Sequence, residues 1–68
     1  MIEVDARGLS CPEPMLMATE AVKGSAGEAV RVLVSSATAR DNVKGVAKKA
    51  KRQARVEESG ADFIVTIE

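Results

Sequence analysis

Ser10-Cys11-Pro12-Glu13-Pro14 is the stretch of this chain whose residue types suit covalent chemistry. Cys11 is the single cysteine and there is no histidine. Ser-His-Asp triads, Cys-His pairs and His-based metal sites are therefore excluded, and any acid or base must be a carboxylate, a lysine or the thiol. One cysteine cannot close an internal disulfide, and in a reducing compartment it stays a free thiol. Its reactivity follows the fraction present as thiolate, which a helix N-terminus raises.

The two prolines place such an N-terminus here. Proline is tolerated in the first helical turn, where backbone N–H groups have no intrahelical acceptor. With Cys11 as N-cap, Pro12 takes the first helical position and Pro14 the third, and neither removes a bond from the ladder. With Ser10 as cap, Pro14 would fall at the fourth position and break the first bond, so Cys11 is the expected cap. On this register the Glu13 N–H is free to face the sulfur. Arg7 is a candidate for positive potential nearby, opposed by Asp5 and Glu13. The plain alternative is that Cys11 is a small buried hydrophobe, as most free cysteines are. The prolines and the polar neighbours Ser10 and Glu13 argue for exposure instead.

The elements that would hold this segment follow from periodicity. Ile2, Val4 and Ala6 alternate with Glu3 and Asp5 as in a half-buried strand. Arg7 to Ser10 is a loop, and Pro12 to Lys23 reads as a helix burying Met15, Ala18, Thr19 and Val22, with Gly24 ending it. Leu16 and Met17 flank that stripe one turn from Cys11; they fit either boundary core or an apolar rim for docking partners. Val30, Val32 and Val34 mark a second strand. Thr38-Ala39-Arg40-Asp41 has the form of a capping box for a second helix reaching about Gln53, with Ala39, Val43, Val46, Ala47 and Ala50 buried. Ala54 to Glu58 and Phe63 to Ile67 make a hairpin around Ser59-Gly60-Ala61-Asp62. The order strand, helix, strand, helix, strand, strand, with right-handed crossovers, is a two-layer α+β sandwich with both helices on one face of a small mixed sheet. The uncovered face would carry Arg31, Leu33, Ile64 and Thr66, with Leu33 and Ile64 available for contacts.

With 68 residues the chain is one domain, spanning 1–68. Ten basic and ten acidic side chains cancel, but unevenly. Residues 40–55 hold seven basic side chains against Asp41, a net +6, and the remainder carries −6. Arg40, Lys44, Lys48, Lys51 and Arg55 recur at spacings of three and four, the signature of a basic ridge along the second helix. Such a ridge is either an ordinary solvated face or a surface for an acidic partner or RNA phosphates. RNA is disfavoured, because Phe63 is the only aromatic and its alternation places it in the core. The first residues carry Glu3 and Asp5 and read as neither signal nor transit peptide. No apolar run approaches the ~20 residues of a membrane span. A soluble, cytoplasmic protein, monomeric or weakly oligomeric, is expected.

Asp5-Ala6-Arg7-Gly8-Leu9-Ser10-Cys11-Pro12-Glu13-Pro14 resembles the signature of the TusA/SirA-like sulfur carriers, in which a Cys-Pro-x-Pro motif opens the first helix. The likeness extends over nearly the whole chain in length and element order. It implies the sheet order 1-2-4-3, similar to the C-terminal domain of the third translation initiation factor. It also implies a sulfur carrier rather than a stand-alone enzyme, working without cofactor or metal. Cys11 would accept sulfane sulfur as a persulfide from a cysteine desulfurase or other donor. It would relay that sulfur to an acceptor protein in tRNA thiolation, cofactor synthesis or sulfur metabolism. Where the TusA subgroup tends to carry acidic residues and a proline after the second strand, this chain has Ser35-Ser36-Ala37-Thr38. Ala39-Arg40-Asp41-Asn42-Val43 is closer to the YedF-like subgroup, some members of which are linked to selenium and carry a further DsrE-like domain not seen here. Two other readings stand beside the carrier: a regulatory or interaction module acting through the basic helix, and a selenium-handling variant.

Overall fold

The computed structural model describes residues 2–10 and 12–68. Its elements are β1 (Ile2–Asp5), α1 (Glu13–Gly24), β2 (Val30–Val34), α2 (Ala37–Lys49), β3 (Ala54–Ser59) and β4 (Asp62–Ile67). The sheet order is β1-β2-β4-β3, as the resemblance implies. β1 pairs parallel with β2, and β4 runs antiparallel to both β2 and β3. Among the described residues no helix is long and apolar enough to cross a membrane.

The register explains the core. Val4, Val32, Val65 and Val56 lie in one row across the four strands, and Ile2, Val30, Ile67 and Ala54 in the next inward-facing row. β-branched side chains fill these rows because two methyl-bearing branches pack well on a pleated surface and lose little χ1 freedom there. Ala18 of α1 and Ala39, Val43, Val46 and Ala47 of α2 close over them, all buried. Ala50, expected in that stripe, is exposed. On the other face Leu33 and Ile64 stand directly opposite each other and only half-buried, and Glu3 pairs with Arg31 at 3.6 Å.

Both ends of α2 differ from the sequence reading. Ser36, not Thr38, is the N-cap: its Oγ accepts from the Ala39 N–H at 3.1 Å. Thr38 lies within the first turn. The helix stops at Lys49 rather than Gln53 because the chain reverses through a left-handed residue, Lys51 at φ 58°. The Lys51 N–H donates to the Lys48 carbonyl at 3.1 Å and the Arg52 N–H to the Ala47 carbonyl at 2.9 Å. These are the paired bonds of a Schellman ending, with lysine where glycine is usual. The basic ridge is correspondingly shorter. Arg40, Lys44 and Lys48 lie on the helix, Lys51 lies beyond it, and Arg55 belongs to β3 opposite Thr66. Arg40 is already engaged, 4.8 Å from the centre of the Phe63 ring and 3.1 Å from Asp41. Phe63 itself is half-buried beneath it.

Arg52 ties three segments together. Its guanidinium donates to Ser25 Oγ at 2.9 Å, to the Glu28 carbonyl, and to the Glu68 carbonyl at 3.2 Å. Ser25, only 3% exposed, is satisfied both by this contact and by donating to the Val22 carbonyl. Charged donors on otherwise orphaned acceptors are among the stronger contributions a small domain can make.

Candidate functional site at the start of the first helix

The topology brings two loops to one edge. β1 and β2 are parallel, so the segments leaving their C-terminal ends, toward α1 and toward α2, emerge side by side. Both helices then run back across the sheet, and both N-termini, the positive ends of their dipoles, sit at this edge. Open mixed sheets place ligand chemistry at such an edge, outside the carboxyl ends of parallel strands.

The loop that leads into the Cys-Pro-x-Pro segment is held from three sides. The Ala6 N–H continues the sheet to the Leu33 carbonyl at 2.8 Å. Gly8, at φ +78°, donates its N–H to Ser35 Oγ at 2.9 Å, joining the β1–α1 loop to the β2–α2 loop. A side chain at Gly8 would be strained in that left-handed conformation. Asp5 grips Arg7 through Nε at 2.9 Å, Nη2 at 2.8 Å and the backbone N–H at 3.2 Å. These bonds hold the Asp5 carboxyl down at about 2, with the side-chain bond from Arg7 the largest cause. Arg7 also stands 3.8 Å from Asp62. Its charge is thus shared between two carboxylates, and its clearest role is to shape the loop.

The helix begins one residue later than the prolines suggest. Pro12 occupies the cap with no side-chain bond, Glu13 is the first helical residue and Pro14 the second. The Glu13 N–H donates to the Ser10 carbonyl at 3.1 Å, so it is not free to face the sulfur as expected. Leu16 makes the first helical bond, to the Pro12 carbonyl at 3.0 Å. Neither proline removes a bond, and here the physical argument for their placement survives the change of register. Pro12 and Glu13 are exposed, whereas Pro14 is fully buried and seats the start of α1 in the core. Reading Pro14 only as a helix starter missed that role. The cap expected at Cys11 is instead Pro12, and Cys11 itself lies outside the described residues.

Around this edge Leu9 is 37% exposed and Leu16 54%. Met17, paired with Leu16 in the sequence reading, is instead half-buried and packed against the core. The apolar rim is therefore Leu16 without Met17. Among the described residues no group of three or more His, Cys, Asp or Glu side chains is placed to hold a metal ion.

A four-stranded mixed sheet of order 1-2-4-3 with two helices on one face, and an anchored loop leading into the first helix, define a class of small α+β proteins. Comparison with known proteins names it: the family model described as sulfurtransferase TusA matches residues 2–68, and the chain belongs to that family. It is similar to the crystal structure of a SirA-like protein from Desulfitobacterium hafniense, with 36% identity over 98% of this chain and 95% of that one and a TM-score of 0.89. No curated protein matches the chain significantly. Membership implies, in general terms, a sulfur-carrier role exercised with other sulfur-transfer proteins.

Proposed function

We propose that the protein is a cytoplasmic persulfide carrier acting through Cys11, with no cofactor and no catalytic centre beyond that thiol. The observation that supports the reading is the anchored β1–α1 loop of a TusA family member, which leads to the start of α1 at Pro12, the residue that follows Cys11 in the sequence. In uptake, the Cys11 thiolate attacks the outer sulfur of a donor cysteine persulfide. The donor's S–S bond breaks, the donor thiolate leaves with the electron pair, and Cys11 becomes Cys11–S–SH. In delivery, an acceptor thiolate attacks the same outer sulfur and Cys11 departs as thiolate. No electrons are gained or lost overall, and sulfane sulfur changes hands twice. The helix dipoles favour the anion at both stages.

A chain this small has a reason to lack a deep cleft of its own, since its thiol must enter the active sites of donor and acceptor. The Ala39-Arg40-Asp41-Asn42-Val43 segment supports a place near the YedF-like subgroup, which makes selenium an alternative cargo. Incubation with a cysteine desulfurase and cysteine is expected to add one reductant-labile sulfur to the intact mass of the wild-type protein and none to Cys11→Ser. A parallel incubation with a selenocysteine lyase and selenocysteine, which supplies selenium at the same oxidation level as sulfane sulfur, reads out the alternative cargo. Absence of the sulfur adduct under conditions where the desulfurase itself becomes persulfidated removes the proposal.

A further inference from the structure

Between α1 and α2, on the side away from the sheet, lies a groove of about 460 Å³. Met15 and Val22 of α1 and Val46 and Ala50 of α2 give it an apolar lining. Lys23 and Lys49 also line it, each in the last turn of its helix. Among the described residues neither lysine has an ion-pair partner, whereas Asp41, the acid of the lining, is paired with Arg40 at 3.1 Å. The unspent charge of the groove is positive.

Gly45 gives the groove its depth. Glycine in a helix interior is unfavourable, and it is usually tolerated for a left-handed conformation or a close backbone approach. Gly45 has neither: it lies mid-helix without positive φ, and a Cβ built there meets nothing within 4 Å. The missing side chain leaves open space where the groove runs past α2.

We propose that this groove docks an acidic amphipathic helix of a partner protein, its apolar face against Met15, Val22 and Val46 and its carboxylates against Lys23 and Lys49. Two parallel helices of about three turns offer a trough of the length such a segment fills. Charge complementarity selects an acidic segment over a basic one. The proposal does not use the Cys11 thiol, so it stands or falls separately from the carrier chemistry.

The test uses the wild-type chain under reductant and two cysteine-free synthetic amphipathic peptides. Both carry the same leucine face, and the polar face is glutamate in one and lysine in the other. Amide chemical shifts are expected to move with the glutamate peptide at Met15, Thr19, Val22, Gly45 and Lys49, with weaker effects elsewhere. Affinity should fall at least tenfold for the lysine peptide, and also for the glutamate peptide against Lys23→Glu/Lys49→Glu. Gly45→Leu should raise the melting temperature, because a helix former replaces glycine in open space, and yet lose tenfold or more in affinity. That opposition of signs separates a filled groove from a misfolded protein. Equal binding of both peptides, shifts centred elsewhere, or undiminished binding by Gly45→Leu would each overturn the proposal. So would concentration-dependent shifts at the same residues without peptide, which would make a second copy the occupant.

Discussion

Replacing Ser35 with alanine removes one hydrogen bond, from the Gly8 N–H to Ser35 Oγ at 2.9 Å, and little else, because Ser35 is exposed. Among the described residues it is a side-chain bond between the loop that leads toward α1 and the loop that follows β2, 27 residues apart. A neutral hydrogen bond contributes a net ~1 kcal/mol, so loop opening should become about fivefold more favourable. Amide hydrogen exchange measures this directly. In Ser35→Ala the Gly8 amide should exchange about fivefold faster, and the Val32 and Val65 amides in mid-sheet should keep protection equal to global stability. Sulfur loading from a persulfide donor should slow in the same variant while the melting temperature drops by only a few degrees, about 4–8 °C per kcal/mol for a domain of this size. Gly8 exchange within twofold of the wild type would show that the bond does not hold the loop. Slowed loading with unchanged Gly8 exchange would show that Ser35 acts by another route.

Asp5 supplies a pH signature. Its folded-state carboxyl is held at about 2, below the ordinary value of 3.8. The stabilisation it brings is therefore complete above the ordinary value and is lost as pH falls from about 4 toward 2. A carboxyl-carbon titration should give Asp5 a midpoint near 2, and Asp5→Asn should remove that part of the acid dependence; a midpoint near 4 would mean that Arg7 does not grip it in solution. At the end of α2, Lys51→Gly relieves a left-handed non-glycine residue and should stabilise the fold by about 1 kcal/mol, or roughly 4–8 °C in Tm. A fall in Tm would mean that the Lys51 side chain contributes more than its backbone conformation costs.

How far the sequence discloses this structure depends on how local each signal is. Period-two runs of valine and isoleucine and the spacing of Ala39, Val43, Val46 and Ala47 are local records of burial, and the elements they mark are present in the expected order. The caps are less local. Ser36 and Thr38 both carry a hydroxyl near the start of α2, and Asp41 three residues after Thr38 imitates a capping box; Ser36 alone precedes the first helical residue and caps it. Lysine and arginine continue at helical spacing through Arg55, so nothing in the pattern marks a stop at Lys49. The left-handed residue that ends the helix is a lysine, where glycine is the usual signal. Pro14 shows the opposite limit: its backbone role in a first turn was legible, but its burial depends on the sheet beneath it. The Gly8–Ser35 bond spans 27 residues and leaves no local trace. The family, by contrast, was legible in the sequence, and the TusA family model that matches residues 2–68 agrees with it.

The most direct test of the carrier account follows the sulfur atom itself. The protein is loaded by a cysteine desulfurase supplied with heavy-sulfur cysteine, isolated, and mixed with a thiol acceptor while its intact mass is followed. The account predicts one heavy sulfur gained at Cys11 and the same heavy sulfur lost to the acceptor, leaving the protein at its starting mass with its own cysteine sulfur retained. Failure to load, loading that persists in Cys11→Ser, or a heavy sulfur that no thiol can remove would contradict it.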